Sequence, residues 1–237
     1  MTSTKATPHP WKPIATPAED ESNKGLNEKI CGRDARAPII SKGWHSRGYL
    51  PHVDVGGLYQ GITYRLSDSL PMSAGVPPAV TPQSHAEKAE RRKQIEQELN
   101  KGYGSCLLRH KEIAQIVVDA WLYFDGKRYD LVAYVVMPNH VHVLIKTYEG
   151  FPLSKVIHSW KSFTAHEIIK CLKRGVLAGG TPALPGHPSK LWQNEYFDRF
   201  IRDDRHFAQA IDYIHENPVK AGLCRHASEW PWSSVGK

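Results

Sequence analysis

His140 and His142 stand two apart in Tyr-Val-Val-Met-Pro-Asn-His-Val-His-Val-Leu-Ile-Lys-Thr, residues 134–147. The run is apolar and β-branched, which predicts a strand. Strand side chains alternate between faces, so both imidazoles project one way while Val141, Val143 and Ile145 project the other way into a core. Burying two neighbouring polar rings costs free energy unless each finds a partner. A divalent metal is one such partner; hydrogen bonds on a half-exposed strand are the plain alternative.

A second segment, residues 203–223, carries groups that could complete such a site. Asp203 or Asp204 can cap a helix start. Phe207, Ala210, Ile211 and Ile214 then form an apolar stripe at helical spacing. Pro218 is expected to stop the helix, because the residue before a proline is pushed out of the α region. Tyr213 and Asn217, four apart, lie one above the other beside the stripe. Docking the stripe on a sheet puts them at the rim of the contact, where Asn217 can offer a carbonyl oxygen and Tyr213 a phenolic oxygen. A packing tyrosine and a helix-terminal asparagine are the plain alternative.

Three motifs now stand in order: Met-Pro-Asn-His-Val-His-Val-Leu, then Leu-Trp-Gln-Asn-Glu-Tyr-Phe-Asp-Arg-Phe-Ile-Arg, then Asp-Tyr-Ile-His-Glu-Asn-Pro-Val-Lys-Ala-Gly-Leu. Together they resemble the single-tyrosine (HUH) transposases of small insertion sequences, and most nearly the branch associated with repetitive extragenic palindromes. Trp-Pro-Trp-Ser-Ser at 230–234 is also similar to that branch. The resemblance covers roughly residues 46–234. It implies a ferredoxin-like sheet with helices, and cleavage and joining of single-stranded DNA folded as a hairpin. It also implies that His140 and His142 are metal ligands, that Asn217 completes the metal site, and that Tyr213 is the nucleophile. The implied cation is magnesium or manganese.

The chemistry so implied is transesterification. A tyrosine hydroxyl is a poor nucleophile at neutral pH, with an ordinary pKa of about 10. A metal beside the scissile phosphate withdraws charge from its oxygens and orients phosphorus for in-line attack. The product is a phosphotyrosine, on the 5′ phosphate by resemblance, and a free hydroxyl on the other DNA end. The covalent step conserves the bond energy, and the chain accordingly has no Gly-x-x-x-x-Gly-Lys phosphate loop. Tyr196, in Glu-Tyr-Phe-Asp, is the rival nucleophile, with no ligand-type residue one helical turn away. Lys161, Arg199 and Arg202 lie near the motifs and are named as DNA contacts, and Trp160 could stack on a base. Two other classes stay open. A hydrolytic metal nuclease would use water and form no covalent product. A silent DNA-hairpin-binding protein would bind without cleaving.

The elements that must position these groups follow from composition. Residues 1–45 mix Pro, Lys, Asp, Asn and Gly without periodicity and read as a disordered or loosely attached tail before a domain over 46–237. Strands are expected at 57–66, 129–136, 140–147 and 190–201, the last weakened by Asn194, Glu195 and Asp198. Helices are expected at 83–101, 109–124, 153–174 and after Asp203, with loops at 67–82 and 175–189 and a turn at Asp125-Gly126. That order gives an α+β fold, a four-stranded antiparallel sheet with packed helices. The 237 residues carry a net charge of +7 and a pI of about 9.2, which suits a polyanionic partner. No apolar run approaches the ~20 residues of a membrane span, and the N-terminus lacks a signal-peptide core. Cys31, Cys106, Cys171 and Cys224 are scattered without zinc-ribbon spacing, so reduced thiols in a cytoplasm are expected. The chain is read as a monomer or homodimer.

Overall fold

The computed structural model of the chain describes residues 44–46, 51–70, 85–175 and 190–235. Residues 1–43 of the expected tail, 71–82 of the first expected loop and 176–189 of the second lie outside the described residues. Trp44 and His45, also assigned to the tail, pair in a short strand.

The described chain runs β1 (Trp44–Ser46), β2 (Pro51–Val53), β3 (Tyr59–Arg65), α1 (His85–Asn100), α2 (Lys111–Leu122), β4 (Tyr129–Val136), β5 (His140–Thr147), α3 (Leu153–Lys173), β6 (Phe197–Phe200) and α4 (Asp204–Lys220). β1 and β2 form a small hairpin. The main sheet has four strands in the order β4-β5-β3-β6, and every neighbouring pair is antiparallel. This is the expected α+β, ferredoxin-like arrangement, with β3 and β5 in the middle and α1 as a separate helix ahead of α2.

The alternation of apolar side chains decides which face each element covers. Ile62, Tyr64, Tyr134, Val136, Val141, Val143 and Ile145 project from one face into the larger core, against Ile113, Val117 and Trp121 of α2 and Val156, Ile157 and Trp160 of α3. The polar tips buried there are satisfied: the Trp121 indole donates to the Tyr64 hydroxyl at 3.0 Å, and the Trp160 indole donates to the Tyr129 hydroxyl at 2.9 Å. Trp160 is therefore a core residue. Ala133, Val135 and Leu144 project from the opposite face, and there the stripe Phe207, Ala210, Ile211 and Ile214 docks α4.

Two expectations change. The last strand spans Phe197–Phe200 rather than 190–201. Leu191, Trp192 and Tyr196 are buried, but Asn194 and Glu195 interrupt the extended run. Pro218 also does not end α4, which continues to Lys220. Its ring costs only one hydrogen bond in the final turn. The stop is made by Gly222, at φ +68°, where Leu223 N–H bonds to Pro218 O and Gly222 N–H to Val219 O, both at 2.9 Å, a Schellman closure.

The edges of the sheet are covered. Val136 N–H donates to Trp232 O at 2.8 Å and Ser234 N–H to Tyr134 O at 3.0 Å, so the Trp-Pro-Trp-Ser-Ser segment lies along β4 and occupies its open edge. On the other side, buried His52 of β2 bonds Asp198 of β6 at 2.6 Å and stands 3.4 Å from Glu195.

Candidate metal and nucleophile site

The site is built from the β4–β5 turn outward. Met137-Pro138-Asn139 reverses the chain, closed by Met137 N–H to His140 O at 2.9 Å. The turn places His140 opposite Arg65 and His142 opposite Thr63 on β3. Both rings emerge on the face that α4 covers, 4.9 Å apart between centroids and edge to face. His140 is 0% exposed and His142 is 4% exposed.

The neighbour of His140 fixes which of its nitrogens is available. Asn139 gives its side-chain N–H groups to Leu99 O and Tyr103 O, each at 3.1 Å. Its Oδ1 is thus turned to His140 Nδ1 at 2.7 Å and can only accept, so His140 carries its proton on Nδ1 and its lone pair on Nε2. The Thr63 hydroxyl stands 2.9 Å from His142 Nδ1 and can play the same role.

α4 supplies the facing groups. Asp203 caps it by accepting from His206 N–H at 2.7 Å. The apolar stripe then sets its rotation, and Tyr213 comes to rest against His142, ring centroids 5.3 Å apart. Asn217 is not at a rim: it is fully buried, with Nδ2 donating to Tyr213 O at 3.2 Å. The Glu96 carboxylate of α1 acts on the Tyr213 hydroxyl electrostatically, and the Lys220 ammonium stands 5.2 Å from the Tyr213 ring centre.

The electrostatics are those of a dry pocket. Burial, helped for His140 by the charges of His142 and Arg65, holds His140 well below the ordinary range. Burial alone lowers His142 to about 3. Both imidazoles are neutral at pH 7, the form that binds metals. Burial raises the Tyr213 hydroxyl, the Glu96 carboxylate raises it further, and the Asn217 side chain opposes them. The free hydroxyl is thus protonated at neutral pH.

These residues fit a divalent cation. His140 Nε2, His142 Nε2 and Asn217 Oδ1 are all buried and all lack a hydrogen-bond partner. Unpaired buried polar atoms are rare and costly, and these three are lone-pair donors of the types that ligate metals. Among the described residues no cluster of three or more His, Cys, Asp and Glu could hold a metal; the third donor here is an amide oxygen.

Arg199 projects from β6 on the same sheet face, since β6 pairs Phe197 with Thr63 and Arg199 with Gly61. Arg92 of α1 lies 5.1 Å from the Phe197 ring centre. Arg202 lies 5.7 Å from that of Phe200. Partial burial and the neighbouring charges of Arg92 and Arg202 lower Arg199. Lys161 is differently placed. Its ammonium donates to Gln193 O and Asn194 O at 3.0 and 3.1 Å, which ties the irregular 193–195 segment to α3. Tyr196 is buried in the larger core, stacked on His52 at 4.2 Å, and does not meet the histidine pair.

Sequence spacing missed Thr63, Asn139 and Glu96. Asn139 adjoins His140, and Thr63 sits on a strand that alternates, so both carried a weak signal. Glu96 carried none, because nothing local says where α1 docks.

The neutral histidines predict acid lability in the metal-free protein. Their folded pKa values lie below the unfolded value of about 6.5, so their contribution is whole above that pH. It is lost as pH falls toward the folded values, about 3 for His142. The expected slope is about 1.4 kcal/mol per pH unit for each histidine. His52 does not offset it. Burial opposes its charged form, but Asp198 and then Glu195 raise it, so its contribution is already complete below about 6.5. Urea midpoints at pH 7.5, 6.5, 5.5 and 4.5 measure the slope. It should be shallower in His142→Gln; equal slopes in the two proteins would show that the ring is not kept neutral.

A histidine pair on a central strand, a facing helix with a tyrosine against the pair and an asparagine one turn on, and a ferredoxin-like sheet beneath them together define the class of single-tyrosine transposases. The sequence profile of the family described as "Transposase IS200 like" matches residues 89–217, and the chain belongs to that family. It is 24% identical over 106 residues to the REP-associated tyrosine transposase of Escherichia coli, covering 45% of this chain and 54% of that protein. It is 28% identical over 108 residues to a Haemophilus influenzae protein provisionally given the same name, covering 45% and 58% respectively. The chain thus spans just over half the length of these curated relatives. A solved REP-associated tyrosine transposase bound to a REP hairpin is 19% identical, covers 77% of this chain and 79% of its own, and superposes with a TM-score of 0.47. Among the described residues no helix is long and apolar enough to cross a membrane.

Proposed function

We propose that the chain is a metal-dependent transposase or endonuclease that cleaves and rejoins single-stranded hairpin DNA through a covalent 5′-phosphotyrosine. One observation carries the reading: three unpartnered, buried donor atoms, His140 Nε2, His142 Nε2 and Asn217 Oδ1, lie with the Tyr213 ring against one of the histidines.

His140, His142 and Asn217 would hold a magnesium or manganese ion. Asn139 and Thr63 would keep the imidazoles in the ligating tautomer. Such an ion, when bound, withdraws charge from the scissile phosphate and orients it. Tyr213 supplies the attacking oxygen. Its bond to phosphorus forms as the bond to the 3′ oxygen breaks, and the freed 3′ hydroxyl is the acceptor for the reverse step. Glu96 and the His142 ring edge restrict where the Tyr213 hydroxyl can point, a contribution of position. Arg199 and Arg202 would hold DNA phosphates at the edge of the sheet. Lys161 would act indirectly, by holding the segment that leads into β6. The partner is a polyanion, in keeping with the net charge of +7.

The test is incubation of the full chain with end-labelled DNA and Mn²⁺, followed by denaturing electrophoresis. A labelled adduct is expected with a folded single-stranded hairpin and not with the same sequence as a perfect duplex. No helicase motif is present, and unstacking a duplex costs a few kcal/mol per step. Hairpin binding should weaken steeply with salt, with a slope of about −0.7 per neutralised phosphate on a log–log plot. Cleavage without an adduct would point to a hydrolytic nuclease. Equal cleavage of hairpin and duplex would refute the single-strand mechanism.

A further inference from the structure

Arg65 ends β3 directly opposite His140, and residues directly opposite in an antiparallel pair share a face. Its side chain is partly buried. The single hydrogen bond it makes among the described residues goes from Nη1 to the Ser69 hydroxyl at 3.1 Å. Among the described residues it forms no ion pair, and no carboxylate perturbs it; burial alone lowers it. An arginine carries five N–H donors in a planar fork, so most of this fork is unused. A guanidinium that is partly covered, carries no counter-ion among the described residues and keeps free N–H donors beside His140 is placed to take an anionic ligand. The neighbouring groups favour the same ligand. Two neutral imidazoles and an amide leave the charge of a bound cation uncompensated, and Glu96, whose charge acts on Tyr213, supplies a single negative charge.

We infer that Arg65 is a phosphate-binding catalytic residue, which clamps the non-bridging oxygens of the phosphate that Tyr213 attacks. The inference rests on the strand-transfer reading of the site and adds a residue to it. The fork lies on the sheet face that carries His140, the face that α4 and its tyrosine cover. Arginine suits this place better than lysine, because two parallel N–H groups match two phosphate oxygens. The contact strengthens as negative charge builds on those oxygens, so it belongs to the reaction step more than to DNA affinity.

Two measurements on the full chain test this. In the first, adduct formation with Mn²⁺ and hairpin DNA is followed for wild type, Arg65→Lys and Arg65→Gln. Arg65→Gln should slow kcat by about 10²–10³-fold with KM changed little, and Arg65→Lys should recover part of the loss. An unchanged kcat, or a change confined to KM, overturns the proposal. In the second, the metal-free proteins are melted in rising inorganic phosphate at constant ionic strength. The wild-type Tm should rise with phosphate and that of Arg65→Gln should not; equal rises overturn the proposal. Should wild type form no adduct while its phosphate response still depends on Arg65, the strand-transfer reading fails and the anion site stands.

Discussion

Tyr213→Phe is expected to abolish the covalent protein–DNA adduct, on the order of 10⁴-fold or more, as removal of a nucleophile does elsewhere. The substitution removes one oxygen and leaves the ring that packs on His142. It also removes the hydroxyl on which the Glu96 carboxylate acts; that carboxylate is only partly buried and can turn to water, so the stability change should stay within about 1–2 kcal/mol. Hairpin affinity should be retained, since the basic groups of α1 and β6 are untouched. Denaturing electrophoresis reads the adduct and a mobility shift reads the affinity. An adduct that persists in the Phe protein would remove Tyr213 from the role. Tyr196 would be a poor replacement, being buried on the other side of the sheet against His52.

Loss of either histidine should be nearly as severe. His140→Ala and His142→Ala each delete one of the unpartnered donors. Substitutions that merely disturb the partners of a ligand cost 10–100-fold in metal affinity, so deleting a ligand should weaken Mn²⁺ by at least about 100-fold. Adduct formation should fall below detection. Metal-free stability should also fall, because each substitution leaves a cavity and strips a partner from Asn139 Oδ1 or the Thr63 hydroxyl, partly offset by removal of a buried polar atom that makes no bond. Calorimetric titration with Mn²⁺ and urea unfolding of the metal-free variants separate the two effects. Wild-type Mn²⁺ affinity in either variant, or wild-type cleavage that survives EDTA, would defeat the metal assignment.

Much of this arrangement is local and could be read from the chain. Alternation along 140–147 determined that His140 and His142 share a face and that Val141, Val143 and Ile145 fill a core, because the strand period is two. Helical spacing determined the stripe of α4 and the stacking of Tyr213 over Asn217. The order of strands and helices determined the α+β class, and the three ordered motifs carried the family. Local rules failed where a neighbour outweighs propensity. Pro218 is tolerated because it falls in a final turn that Gly222 closes. The segment before β6 is irregular because the Lys161 ammonium binds its carbonyls.

Tertiary structure alone decided which long-range groups meet. Periodicity does not say that β3 lies beside β5, and so cannot place Thr63 against His142 or Arg65 beside His140. It does not say that α1, a polar helix with Leu99 buried, carries Glu96 to the Tyr213 hydroxyl. Nor does it say that the Lys161 charge is spent on backbone carbonyls while Arg199 stays on the site face. The physical reason is that strand and helix periods fix only the direction of a side chain relative to its own element. The partner across the gap is chosen by the packing of whole elements against a shared core, and that packing fixes the charges and hydrogen bonds of this site.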